Sequence, residues 1–168
     1  MNRFPIIIFA IIIAAVGATL VLRPGNPNRP ELPPQENPPN NVGNTTIVCK
    51  GTARCFDNVV RKIVDGDTLD IGDFRIRLAL VNTPERGEEG FSEATQFTLS
   101  ICPVGSKATV DEDDGQLEGS YGRMTGTVYC SGKNLNEELL KTGHAKILPE
   151  FCKTSEFAAE SWAHAVCN

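Results

Sequence analysis

Seven residues of this chain have the types and the order needed to hold a cation against a phosphate. Asp65-Gly66-Asp67-Thr68 sets two carboxylates two positions apart; Arg77 follows, then Asn82-Thr83-Pro84-Glu85, and further on Tyr121-Gly122-Arg123. Asp67 and the Asn82-Thr83 corner offer hard oxygen ligands of the kind calcium takes. Glu85 offers a carboxylate that can face a water, and Arg77 and Arg123 offer two permanent cations for a phosphate. Together they read as a metal-dependent phosphodiesterase site. Asp65 and Asp67 alone would be ordinary hairpin-turn chemistry. The ordered presence of Arg77, Glu85 and Arg123 favours the functional reading.

These side chains need a scaffold, and the hydrophobic pattern supplies one. Asn58–Ile63 and Thr68–Ile71 read as strands joined by a turn at Asp65-Gly66-Asp67, so the carboxylates sit at a bend. From Phe74 to Val81, Phe74, Ile76, Leu78 and Leu80 alternate with Arg75, Arg77, Ala79 and Val81, which points Arg77 away from the most apolar face. Pro84 ends that strand, and residues 86–90 form a loop rich in Gly and Glu. Phe91, Ala94, Phe97 and Ile101 recur at helical spacing, with Ser92 as the expected N-cap. Residues 107–110 and 124–130 read as two further strands joined by a polar loop, 111–122. Asn136 is the expected N-cap of a second helix that stops at Gly143, and a third follows Ser155. Five strands with a helix after the third and others after the fifth predict an α+β fold, a five-stranded OB-type Greek-key barrel with about three attached helices.

The chain has 168 residues, room for one compact domain with accessory segments. Residues 4–22 are uncharged and mostly apolar, close to the ~20 residues a helix needs to cross a bilayer. A retained anchor over residues 1–23 is favoured over a cleaved signal peptide, because the apolar run continues past the small-residue site at Val16-Gly17-Ala18. Residues 24–45 hold seven of the eleven prolines and read as an extended tether; residues 46–168 form the folded domain. The six cysteines lie after the anchor and lack the spacing of a zinc site, so disulfides are expected, with pairing open. Anchor and disulfides together place the domain outside the cytoplasm, tethered to the membrane by a single pass or secreted after cleavage. The formal net charge is −5, which argues against a protein that holds nucleic acid through its global field.

The ordered motifs from about Val59 to Trp162 resemble the staphylococcal nuclease, or thermonuclease, family: Asp-Gly-Asp-Thr, Arg77 through Glu85, Glu93-Ala94 with Phe97-Thr98, Asp113 with Gly115-Gln116, Tyr121-Gly122-Arg123 and Asn136-Glu137 with Leu139. The resemblance implies an OB-fold, calcium-dependent endonuclease that acts on DNA and RNA, favours single-stranded or unpaired substrate, works as a monomer and leaves 3′-phosphate ends. It implies Asp67, Asn82 and the Thr83 carbonyl as calcium ligands, Asp65 as an outer-shell acid, Glu85 as the residue that prepares the attacking water, and Arg77 and Arg123 as the grip on the scissile phosphate. Departures from the family bear on the metal shell, through Asn82, and on substrate grip, through Ser120, Pro149 and Phe151. Asn82 stands where the family usually has aspartate; Ser120 stands where a lysine often contacts phosphate; Pro149 and Phe151 stand where tyrosines commonly flank the nucleotide.

A second function of a different class is a catalytically weak or silent OB domain that binds nucleic acid or a protein partner at the cell surface. Retention of Arg77, Glu85 and Arg123 favours the enzyme. Among the remaining residues, Asp111-Glu112-Asp113-Asp114 reads as a hydrated acidic loop in preference to a second cation site. Arg75 reads as a solvent-facing strand residue in preference to a third phosphate ligand, His144 and His164 as structural or surface residues, and Trp162 and the phenylalanines as core in preference to base-stacking platforms.

Overall fold

The computed structural model describes residues 40–42 and 45–167. The apolar segment 4–22 expected as an anchor, and most of the tether, lie outside the described residues; among the described ones no helix is long and apolar enough to cross a membrane. A short antiparallel ladder pairs Asn40–Val42 with Thr45–Ile47 ahead of the main body.

The body is a closed five-stranded barrel with three helices. Its strands are β1 (Cys55–Ile63), β2 (Thr68–Ile71), β3 (Phe74–Leu78), β4 (Lys107–Glu112) and β5 (Met124–Cys130). They run in the order β3-β2-β1-β4-β5, and a parallel pairing of β3 with β5 closes the cylinder. β1 is long enough to serve both halves. Its first part, Cys55 to Val59, pairs with β4, and its last part, Val60 to Ile63, pairs with β2 across a register shift between Val60 and Lys62. Such an irregularity bends a strand and sharpens its twist, which a barrel this small needs.

Alternation decides what fills the barrel. Val60, Leu69, Ile71, Ile76, Val110 and Val128 are fully buried inside it, and within β2, β3, β4 and β5 the core residues Leu69 and Ile71, Phe74, Ile76 and Leu78, Ala108 and Val110, and Val128 and Cys130 recur at every second position. Helix α1 (Phe91–Ile101) and helix α2 (Leu135–Lys141) close the ends, with Phe97, Ile101, Leu139 and Leu140 packed on this core. A smaller cluster of Ala79, Leu80, Phe157 and Ala163 sits under helix α3 (Ser161–Cys167), and Trp162 touches both clusters. Among the described residues, Trp162 and the phenylalanines Phe56, Phe74, Phe97 and Phe157 are core, as the sequence suggests. Phe151 differs, being 39% exposed.

Several local expectations are corrected. The run from Phe74 is one strand only as far as Leu78; Ala79 and Leu80 turn, Leu80 taking φ +62°, and Val81–Asn82 forms a separate short strand against Lys146–Ile147. Helix α1 begins at Phe91 after Gly90, and Ser92 does not cap it. The cap of α2 is Asn134, whose side chain accepts from the amides of Asn136 and Glu137. Asn136 lies instead wholly buried, accepting from Val128 N at 3.2 Å and donating to Ala79 O at 2.9 Å. Gly143 stops the helix with φ +76°, as read from sequence.

The acidic run is the largest correction. Asp111 and Glu112 belong to β4, and Asp111, Glu112 and Asp113 are buried rather than hydrated. Asp114 accepts from the amides of Thr52 and Ala53, Asp111 accepts from the amide of Lys50, and Asp113 accepts from the amides of Gly115 and Glu156. These carboxylates satisfy backbone donors of the two chain segments that lie over the barrel wall, which is what lets irregular chain pack there. Three disulfides reinforce the arrangement: Cys49–Cys55, Cys102–Cys130 and Cys152–Cys167, with no free cysteine.

Candidate active site

Barrel closure brings the sequence-predicted residues to one end. Asp65, Gly66 and Asp67 form the β1–β2 turn, with the amides of Val64 and Asp65 donating to Thr68 O. Thr68 pairs with Arg77 on β3, and Arg77 pairs with Thr125 on β5, two residues after Arg123. Three distant pieces of sequence thus lie on adjacent strands because of two register choices.

Gly66 is required by close approach. A Cβ on it would stand 2.7 Å from Thr83 Oγ1 and 2.8 Å from two Thr83 carbons, so any side chain would push the turn away from the Asn82-Thr83 corner. The Gly66 carbonyl in turn accepts from Thr98 Oγ1 of α1 at 2.6 Å, which fastens the turn to the helix.

Asp67 is only 3% exposed. Its Oδ2 accepts from Thr83 N at 2.7 Å and Thr83 Oγ1 at 3.0 Å and lies 3.2 Å from Arg77 Nη2; its Oδ1 accepts from Thr68 Oγ1 at 3.2 Å. Arg77 holds both sides of the corner. Nη1 donates to Leu78 O at 3.1 Å and Val81 O at 2.5 Å, and Nη2 donates to Asn82 Oδ1 at 3.1 Å. The turn at Ala79 and the left-handed Leu80 bring Val81 and Asn82 back beside Arg77; strain of this kind, on the order of 1–3 kcal/mol, clusters at functional sites.

The electrostatics fit this crowding. Burial pushes the Arg77 guanidinium down from its ordinary value, Asp67, Asp65 and Glu85 pull it back up, and Arg123 pushes it down again. Arg77 and Arg123 are therefore close enough to repel, a situation that an anion between them would relieve. Arg123 is anchored by Ser120, whose carbonyl takes Nε and whose hydroxyl takes Nη2, both at 2.9 Å. The two-residue hairpin Tyr121-Gly122, with φ of +52° and +79°, turns the chain so that this happens. Sequence reasoning noted Ser120 only as a missing lysine. Here it orients Arg123. Glu85 is exposed on the following loop, its amide bound by Glu88 at 2.8 Å.

Asp65 lies half-buried beside Asp67, its Oδ1 accepting from Asp67 N at 3.2 Å, and burial together with the Asp67 charge pushes its carboxyl above the usual range. Two repelling carboxylates in one turn, with the Asn82 amide oxygen held by the same Arg77, are hard oxygen donors of the type calcium takes. Among the described residues no group of three or more His, Cys, Asp or Glu side chains could hold a metal. A cation here would need the Asn82 amide, the Thr83 carbonyl or water to complete its shell.

A family model described as Staphylococcal nuclease homologue matches residues 75–163, more than half of the chain, and the chain belongs to that family. It is 30% identical over 123 residues to an uncharacterized protein of Bacillus anthracis, covering 62% of this chain and 58% of that protein. It is 31% identical over 107 residues to Endonuclease YhcR of Bacillus subtilis (strain 168), covering 54% of this chain and 9% of the relative. With the staphylococcal-like nuclease CAN1 of Arabidopsis thaliana it shares 34% identity over 89 residues, 51% of this chain and 25% of that protein. The chain thus spans less than two thirds of each of these relatives.

Proposed function

We propose that the chain is a calcium-dependent endonuclease that hydrolyses phosphodiester bonds of DNA and RNA and leaves 3′-phosphate ends. The observation that carries the reading is the contact of Arg77 with both Asp67 and Asn82, which ties a phosphate-binding cation to the oxygen donors of one turn and one corner. Family membership and the nucleases among its relatives support the same class.

In this reading Asp67, Asn82 and the Thr83 carbonyl hold calcium, with Asp65 in the outer shell; bound there, the ion supplies positive charge next to the phosphate. Thr83 fixes Asp67 by two hydrogen bonds, so the carboxylate has little freedom to reorganise. Glu85, exposed and free to face solvent, takes the proton of the attacking water. Arg77 and Arg123 neutralise the charge that gathers on the phosphate oxygens as water adds and the P–O5′ bond breaks, the 5′-oxygen leaving as a hydroxyl with a proton from solvent; each arginine is worth on the order of 3 kcal/mol of barrier. Arg77 exchanges part of its backbone bonding for the phosphate; Arg123 keeps its Ser120 anchor and presents Nη1.

We further propose residues 1–23 as a membrane anchor, 24–45 as a tether and 46–168 as the enzyme domain, acting outside the cytoplasm as a monomer. Three disulfides favour an oxidising compartment. The test is incubation of the purified chain with plasmid and single-stranded DNA, in calcium and in chelator. Fragments bearing 3′-phosphates only in calcium are expected. An intact substrate at millimolar calcium and mildly alkaline pH would replace this reading with that of a binding module.

A further inference from the structure

Beside the proposed scissile-phosphate site, an open groove of about 580 Å³ runs across the outer faces of β1, β2 and β3, lined by Arg61, Asp70, Asp73, Arg75, Tyr121 and Arg123 among others. We propose that this groove binds the phosphodiester backbone of the substrate strand next to the cleaved bond, with Arg61 and Arg75 as its phosphate contacts. The inference rests on the nuclease reading above and adds a subsite to it.

Three observations carry it. First, the groove is continuous with the site, because Arg123 lines it and Arg75 stands two residues before Arg77 on β3. Residues two apart on a strand share a face and are separated by about 6.6 Å along it. Arg75 and Arg77 thus form a row of cations on one face, and a polynucleotide held at Arg77 and Arg123 is carried over Arg75 by its own continuity.

Second, the guanidinium of Arg75 is already held in place. Its Nε and Nη2 donate to Asp70 at 2.7 and 3.0 Å across the β2–β3 pairing, while the side chain stays 49% exposed. The fork that faces Asp70 is used; Nη1 remains for an incoming oxygen, and the ordering entropy of the long side chain has been met in advance. Arg61 is looser, 63% exposed and 3.6 Å from Asp73, itself 86% exposed.

Third, the charge is local. The chain as a whole is acidic, with a net charge of −5, yet this groove has three arginines against two aspartates. Polyanion affinity scales with phosphates neutralised, so a short cationic row on an acidic protein gives weak, localised binding that depends on how many nucleotides reach it. The consequence is a preference for bonds flanked by further nucleotides over a bare dinucleotide, which is endonuclease behaviour.

The full chain, in chelator to prevent cleavage, is titrated with a fluorescent 12-nucleotide oligothymidylate over a range of salt, and anisotropy gives affinity and its salt slope. For the double variant Arg61→Gln, Arg75→Gln the affinity should fall about tenfold and the slope by about 1.4, two single-strand phosphate contacts. Asp73→Asn, which removes the carboxylate that competes for Arg61 and leaves both arginines in place, should tighten binding about twofold. An unchanged affinity and slope in the double variant would overturn the groove, as would a wild-type chain that does not bind the oligonucleotide. Calcium-dependent cleavage of plasmid DNA by the wild type judges the preceding reading separately, so the two failures are distinguishable.

Discussion

Two buried carboxylates on opposite parts of the barrel are treated differently by the fold. Asp67 at the β1–β2 turn has four hydrogen-bonding or ionic partners, including the guanidinium of Arg77. Asp111 on β4 is fully buried, accepts through Oδ2 from the Lys50 amide, and has in Oδ1 an oxygen without a hydrogen-bond partner. Burial and the nearby Glu156 and Asp114 push its carboxyl up to about 7, against the opposing pull of the Lys50 amide and charge. The two sites bury the same chemical group, and only one surrounds it with positive charge. The first is held directly against a guanidinium; the second is a fastening whose strength depends on whether it carries a proton.

Breaking the first region should have the largest effect. Arg77→Ala should lower turnover by roughly a hundredfold or more and, by leaving Asp67 buried without its cation, destabilise the fold by about 3 kcal/mol. Glu85→Gln and Arg123→Ala should match the loss of turnover; for Glu85, which is exposed, stability should not change. Steady-state kinetics and urea unfolding on the same samples separate the two quantities. Near-normal turnover in any of the three would remove that residue from the mechanism.

The second region should answer in stability. Cys152–Cys167 clamps the segment that contributes Glu156 to the acidic wall, and it closes a loop with a sequence separation of 15. Replacing both cysteines by alanine should cost about 3 kcal/mol in the chain-entropy model. Urea midpoints measure it, and a loss below about 1 kcal/mol would mean that the carboxylate fastenings alone hold the segment.

A smaller, pH-dependent difference should follow from Asp111. Its folded pKa lies above the unfolded value of 3.8, so between about pH 4 and 7 the folded state binds the extra proton. Asp111 therefore makes stability fall as pH rises through that window, fully so above about 7. Asp111→Asn should remove this slope, making the variant more stable than wild type at pH 8 by several degrees in Tm while the two converge near pH 4. A difference independent of pH would contradict the unpaired, titrating carboxyl.

The finest effect belongs to Asn82, whose side-chain oxygen accepts from Arg77 at 3.1 Å. Asn82→Asp adds a formal charge at the corner and should lower the calcium concentration for half-maximal cleavage a fewfold. At saturating calcium the gain should vanish or reverse, because an Arg77 held by two carboxylates is less available to the phosphate. An unchanged half-saturation point would mean that Asn82 is no ligand.

The sequence by itself determined the local pieces and the order in which the candidate residues occur. Alternation over Phe74 to Leu78, the helical spacing of Phe91 to Ile101 and the Asp-Gly-Asp turn are short-range signals, written in residues a few positions apart, and each appears in the fold. Asp67, Arg77, Asn82, Thr83 and Arg123 were legible as a set because order and type survive without coordinates. Tertiary structure decided what those residues touch. That Ser120 anchors Arg123, that Thr98 reaches the Gly66 carbonyl 32 positions away, and which of the fifteen cysteine pairings is used depend on strand register and barrel closure. The acidic run shows the reason most plainly. Asp111 to Asp113 look hydrated because charge favours water, and they are buried because two irregular segments bring unpaired backbone amides to them. Desolvation is a property of what covers a residue, and what covers it comes from elsewhere in the chain.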